Sequence, residues 1–224
     1  MCAPCEAAER AEREEAERRV YRARWPVVGP VRAYARRLLA APDGFAVLDT
    51  ETTGLNDAAR IVEIAAYSGT GEKLIDTLVN PGVPIPAAAT RIHGIADADV
   101  ADAPAFGEIL PELTRALTGR RIVIYNVEFD TARLAHELDL WHRGATPLLL
   151  PLDHWEVHPS ATAWMDALEW APCAMEAYAR YYGDWSDYHG SRTWQRLGGG
   201  HRAGGDCRTV LTRLQEMADA PDPV

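Results

Sequence analysis

Lysine is almost absent from this chain: Lys73 is the only one, and every other side chain with a fixed positive charge is arginine. Asp and Glu outnumber Lys and Arg by 33 to 23, so the net charge is −10. That balance excludes the broad basic surface on which tight, non-specific nucleic-acid binding rests. It leaves a nucleic-acid substrate open, because part of the acidity is what a metal site would require. No apolar stretch approaches a bilayer span, and the amino terminus is charged rather than built like a signal peptide. The expectation is a cytoplasmic protein without a membrane partner. Four cysteines are too few for a disulfide framework in 224 residues. Two of them, in Cys2-Ala-Pro-Cys5, have zinc-knuckle spacing, but no second C-x-x-C completes four ligands. Internal repeats and low-complexity segments are also missing.

What is present is an apolar run that ends in acid, Phe45-Ala-Val-Leu-Asp-Thr-Glu-Thr-Thr-Gly-Leu55. The run reads as a buried central strand, and side chains two apart on a strand point the same way. Asp49 and Glu51 therefore project together from the carboxyl end of a strand, where open α/β sheets place their ligands. Two adjacent carboxylates repel unless a positive charge lies between them, and a hard divalent cation suits oxygen ligands. A bare D-x-E is also a common solvated turn, so the pair needs partners before it means anything.

The spacing elsewhere predicts the following elements. Residues 6–24 form a charged helix with acid-first pairs at i,i+4, such as Glu6/Arg10 and Glu14/Arg18, ended by Trp25-Pro26. A second helix runs over Val31–Ala41, and Pro42-Asp43-Gly44 turns into the central strand. Ile61–Tyr67 and Lys73–Val79 read as a hairpin. Pro104–Leu117 reads as a helix, Arg121–Tyr125 as a short buried strand, and Asn126 as the cap of the next helix. Thr162–Leu168 is expected to be the last strand and Cys173–Tyr182 a helix; an amphipathic helix with Val210, Leu211, Leu214 and Met217 closes the chain. Residues 141–197 hold six of the seven tryptophans, which suits either a satellite hydrophobic cluster or a stacking surface for single-stranded bases, with Arg192 or Arg196 on phosphates.

Two further acids stand at helix starts, Asp130 after Tyr125-Asn126 and Asp206 five residues after His201 in a glycine-rich loop. Helix starts beside strand ends share one rim of an α/β sheet, so Asp49, Glu51, Asp130 and Asp206 can meet around one or two cations.

Together, Leu48-Asp-Thr-Glu-Thr-Thr-Gly-Leu55, Tyr125-Asn-Val-Glu-Phe-Asp130 and His201-Arg-Ala-Gly-Gly-Asp206 resemble the three motifs of the DEDDh 3′–5′ exonucleases, the family of bacterial proofreading subunits, ribonuclease T and oligoribonuclease. Ile92-His-Gly-Ile95 and Cys173-Ala-Met175 are similar to further family features, and the resemblance covers roughly Phe45 to Met217. It implies a ribonuclease H-like α/β fold: a five-stranded mixed sheet, first strand central, helices on both faces. A charged helical extension over 1–41 would precede an exonuclease domain over 42–220.

The resemblance also assigns roles. Asp49, Glu51, Asp130 and Asp206 would hold two divalent cations, Mg²⁺ or Mn²⁺, and His201 would be the general base. Two-metal sites with cations ~3.5–4 Å apart supply the activated water and leaving-group stabilisation that phosphodiester hydrolysis needs. An unperturbed imidazole titrating near 6.5 suits such a base, and the glycines around His201 suggest a loop that closes with substrate. Thr52, Thr53, Leu55 and Asn126 match substrate-binding positions, with Leu55 as a wedge between bases. His93 reads as structural, as does Asp166 near a strand end. Gly204 stands where the family usually has an apolar residue and is expected to loosen the loop. The partners implied are 3′ ends of single-stranded DNA, favoured, or RNA, releasing nucleoside 5′-monophosphates. A polymerase or repair partner would bind through 1–41. The competing readings are an exoribonuclease of the same family and a non-catalytic nucleic-acid-binding or polymerase-accessory module.

Overall fold

A computed structural model of the chain describes residues 3–145 and 156–223. The side chains of the Cys2/Cys5 pair and positions 146–155 of the tryptophan-rich segment lie outside the described residues. The chain begins with helix α1 (Ala3–Leu39), followed by strands β1 (Phe45–Thr52), β2 (Ile61–Ser68) and β3 (Lys73–Leu78). Helices α2 (Ala87–His93), α3 (Asp97–Val100) and α4 (Phe106–Leu117) lead to β4 (Arg121–Val123) and α5 (Val127–Ala145). Then come α6 (Pro159–Asp166), β5 (Glu169–Trp170), α7 (Ala174–Tyr182), a small ribbon of β6 (Trp185–Ser186) and β7 (Ser191–Arg192), and α8 (Ala203–Ala218).

The main sheet has five strands in the order β3-β2-β1-β4-β5, so β1 is central. β1 runs antiparallel to β2 and parallel to β4, which makes the sheet mixed as expected. Strand alternation divides the core in two. Phe45 and Val47 of β1, with Ala65, Val123 and Tyr125, pack against Val31, Ala35 and Leu38 of α1, Tyr178 of α7, and Cys207, Val210 and Leu214 of α8. Ala46 and Leu48, with Ile64 and Ile122, face Ile109, Leu113 and Leu117 of α4 and Leu134 and Leu138 of α5. Leu48, Leu113, Leu134 and Leu138 are fully buried; each such side chain contributes about 1.5–3 kcal/mol of transfer free energy. The parity of β1 thus decides which helix each side chain meets.

Two expected elements differ. The break at Trp25-Pro26 does not occur: α1 is one helix of 37 residues with Pro26 and Pro30 inside it. Each proline removes a backbone donor and crowds the preceding turn. The helix continues because Val28, Val31, Ala35 and Leu38 behind the prolines form a buried stripe, and tertiary packing overrides local propensity. Arg36 Nε adds a 2.8 Å bond to the Ala218 carbonyl, and Arg32 pairs with Asp222, so this half of α1 is tied to the chain's end. The second difference is Thr162–Leu168, which is mostly the helix α6; the last strand of the sheet is the two-residue β5. Asp166 consequently ends a helix rather than flanking a strand. Among the described residues no helix is long and apolar enough to cross a membrane.

Candidate active site

Asp49 and Glu51 share the parity of Phe45 and Val47, so they leave β1 on the face that α8 covers. Asp206 lies in the first turn of that helix. Asp130, in the first turn of α5, reaches the same rim from the opposite face. There Thr50, the even residue between the two acids, meets it: Thr50 donates to Asp130 Oδ1 from its hydroxyl at 2.7 Å and from its backbone nitrogen at 3.1 Å. All four acids and His201 line one cleft of about 840 Å³, together with Asn126 and Gly198–His201.

The tightest grouping is Glu51, His201 and Asp206, whose candidate ligand atoms lie within 4.8 Å of one another. Asp49 and Asp130 line the same cleft without joining that close set. His201 is exposed and adopts the left-handed conformation, φ 57°, the only positive φ outside glycine among the described residues. Gly199 passes so near Asp206 that a Cβ there would lie 1.8 Å from Oδ1, so the glycine is required by close approach.

The electrostatics are those of a site with more negative charge than its own groups neutralise. Burial, then the charges of Asp130, Asp206 and Glu51, push Asp49 well above the usual carboxylate range. Burial and the neighbouring Asp206 raise Glu51 to about 8. Burial raises Asp130 to about 7 against the lowering effect of Thr50's hydrogen bonds. Asp206 is raised by burial, with His201 opposing the shift. Asp206 Oδ1 is buried without a hydrogen-bond partner among the described residues. A buried orphan oxygen among four mutually repelling carboxyls fits a divalent cation with oxygen ligands.

Thr52 and Thr53 hydrogen-bond within the turn after β1: Thr52 Oγ1 donates to the Gly54 carbonyl at 2.7 Å, and Thr53 Oγ1 accepts from the Arg60 nitrogen at 3.0 Å. Leu55 stands 85% exposed at the tip of that turn. Asn126 precedes α5, and its carbonyl accepts from the Phe129 and Asp130 nitrogens. His93 is buried, its Nδ1 accepting from the Ile95 nitrogen at 3.0 Å. Gly204 lies in the first turn of α8 rather than in the loop. It is buried in α8, where a Cβ would come within 2.4 Å of Asp76 Oδ2, and Asp76 itself accepts the Tyr67 hydroxyl at 2.6 Å. The glycine admits a polar pair where an apolar side chain would otherwise sit.

Sequence reasoning overlooked Thr50 and Glu63. Glu63 is 3% exposed, opposite Glu51 in the β1–β2 ladder. Its carboxylate accepts from Arg202 Nε at 3.1 Å and from the Ala203 nitrogen at 2.8 Å. It thereby fixes the residue after His201 and caps the start of α8. The signal was legible: an acid inside Ile61-Val-Glu-Ile-Ala-Ala-Tyr67 must have a partner if that strand is buried.

Comparison with known proteins agrees with this geometry. The RNase_T family model, described as Exonuclease, matches residues 46–213. An uncharacterized exonuclease, CP81 of Escherichia phage 186, is 33% identical over 183 residues, covering 76% of this chain and 86% of that protein. DNA polymerase III subunit epsilon of Rickettsia felis is 37% identical over 109 residues, 46% of this chain and 48% of the subunit, so the match spans about half the length of that relative. The fold is shared with E. coli Exonuclease I in complex with a dA16 oligonucleotide, at TM-score 0.55 and 17% identity over 78% of this chain and 41% of that one. The chain belongs to the DEDDh, DnaQ-like family of 3′–5′ exonucleases.

Proposed function

We propose that this enzyme removes nucleotides from the 3′ end of single-stranded nucleic acid, DNA in preference to RNA, releasing nucleoside 5′-monophosphates. The observation that carries the reading is the convergence of Asp49, Glu51, Asp130, Asp206 and His201 on one cleft. DNA is favoured because the epsilon subunit belongs to a DNA polymerase and the structural neighbour holds a deoxyoligonucleotide.

Asp49, Glu51 and Asp206, with Asp130 beside them, would hold two divalent cations, Mg²⁺ or Mn²⁺. When bound, such cations supply an activated water and charge stabilisation at the leaving oxygen. His201 accepts the proton of the attacking water at an imidazole nitrogen. Its exposed loop lets it approach as the strand enters. Thr50 orients Asp130, and the Glu63–Arg202 pair sets where the His201 loop returns to α8. Leu55, exposed at the turn after β1, wedges against the terminal base, while Thr52 and Thr53 shape that turn and Asn126 lines the cleft floor.

We assign residues 42–220 to the exonuclease domain and 1–41 to an extension that meets a polymerase or repair partner. Support for the second assignment is the exposed, charged first half of α1. A truncation that tests it should stop before the buried Val28. The activity is tested by end-labelled single-stranded DNA, duplex DNA and short RNA with the cation titrated. Shortening from the 3′ end, fastest on single-stranded DNA, is the expected result. Intact substrates at every cation concentration would overturn the proposal.

A further inference from the structure

The tryptophan-rich segment divides sharply in the fold. Trp164 and Trp170 are partly buried against the α4–α5 core, their indole nitrogens bonded to Thr114 Oγ1 at 2.8 Å and to the Met165 carbonyl at 2.9 Å. Trp185, Tyr188 and Trp194, in and beside the β6–β7 ribbon, are 58%, 91% and 69% exposed. Three large aromatics stand exposed within ten residues of chain, and none of them belongs to the described core clusters, which suits an interaction surface.

The ribbon is pinned at both feet. On one side, Arg24 of α1 donates to the Tyr182 carbonyl at 2.8 Å. On the other, the Tyr125 hydroxyl donates to the Gln195 carbonyl at 2.5 Å, and Arg213 Nη2 to the Leu197 carbonyl at 3.0 Å. Residues 195–200, the continuation of the second foot, are wall residues of the catalytic cleft. Arg192 stands across the ladder from Trp185, and its guanidinium donates to the Gly183 carbonyl at 3.2 Å, which fastens the ribbon at its base. Arg196 is exposed at the cleft edge with no hydrogen bond or ion pair among the described residues.

Resting on the exonuclease reading, we propose that this ribbon is a stacking platform for the single strand upstream of the scissile phosphate. Trp185 and Trp194 carry bases, and Arg196 meets the backbone as it turns into the cleft. The argument for a nucleic-acid occupant is continuity: Trp194 directly precedes Gln195, Arg196 and Leu197, which line the cleft where the 3′ end would sit. The argument for stacking over charge is the chain's net −10. A polyanion gains little from that surface, whereas every base offers a face to an aromatic ring. Asp184 and Asp187, beside and within the ribbon, reinforce the point, since they outnumber its one arginine, Arg192.

The test compares substrates with and without upstream bases. In the W185A/W194A double variant, kcat and KM for p-nitrophenyl thymidine 5′-monophosphate should match wild type. KM for a long single-stranded oligonucleotide should rise roughly tenfold or more, the loss expected from removing stacked bases. A W185F/W194F variant should recover most of the loss, and DNA and RNA strands should respond alike. Equal KM values for the long strand in wild type and double variant would overturn the platform. So would an equal loss on the p-nitrophenyl ester, which would mean a damaged cleft. A change of oligomeric state in the variant without a change in KM would assign the patch to a second copy of the chain instead. If the wild-type protein hydrolyses neither substrate, the exonuclease reading itself fails, and the two failures are thereby separated.

Discussion

On one wall of the cleft, Asp49 and Glu51 ride a strand paired on both sides, and Asp130 is clamped by two bonds from Thr50. On the other wall, His201 sits exposed in a left-handed conformation after a run of glycines, fastened by the residue that follows it through Arg202 and Glu63. Cation ligands need fixed positions, because two mutually repelling carboxylates are tolerable only where the backbone leaves them no escape. On the proposed mechanism a base that meets an incoming strand needs travel, and the Arg202–Glu63 pair bounds it. The ligands on β1 and α5 would then hold cations from a fixed wall, while the base His201 would move on a loop that Asp206 adjoins, and substitutions should separate the two roles.

The largest effect belongs to the fixed wall and to its counterpart at the start of α8. Asp49→Ala or Asp206→Ala should abolish degradation of labelled oligonucleotides while circular dichroism and thermal unfolding remain cooperative. His201→Ala should lower kcat by roughly 10²–10⁴, the usual worth of a general base, with Mn²⁺ affinity by calorimetry changed far less. Equal losses of affinity and rate would make His201 a ligand, which its closeness to Glu51 and Asp206 makes a real contest. Glu63→Gln keeps the volume but removes the charge that holds Arg202. A misplaced loop should then cost about tenfold in kcat, and the Arg202 side chain, more than half exposed, limits any stability loss.

The smallest expected effect is on stability, and its sign follows from the raised carboxyls. Glu51 near 8 and Asp130 near 7 hold protons in the fold that the unfolded chain has released well below those values. The folded state therefore binds more protons between the two ranges, and metal-free stability falls as pH rises from about 4 to 8. Cations require the ionised carboxylates, so Mn²⁺ should raise the melting temperature more at pH 8 than at pH 5. A thermal scan at both pH values, with and without chelator, checks this. An equal shift at both would place the bound ion elsewhere.

The central strand, its hairpin, the helix starts at Asp130 and Asp206, and the glycine loop were legible because each has a local signal: apolar runs, turn residues and acids at element ends. The continuity of α1 was not legible, since Pro26 and Pro30 speak locally for a break and only Val28, Val31 and Leu38, buried against distant helices, speak for continuation. Nor was α6 legible: residues 162–168 carry mostly small and apolar side chains compatible with either period, and the hydrogen bond that seats Trp164 is accepted by Thr114 Oγ1, far away in sequence. Glu63 was legible as a buried acid in need of a partner, but its partners, like that of Thr50, lie at the starts of distant helices, which no local pattern names.

The most direct measurement follows a 3′-end-labelled single-stranded oligonucleotide with the wild-type protein and with Asp206→Asn, each in chelator and in Mn²⁺. The account predicts that label leaves as a nucleoside 5′-monophosphate only from the wild-type protein with Mn²⁺. Release that persists in chelator, or in Asp206→Asn at the wild-type rate, would contradict a cation held by these carboxylates as the agent of hydrolysis.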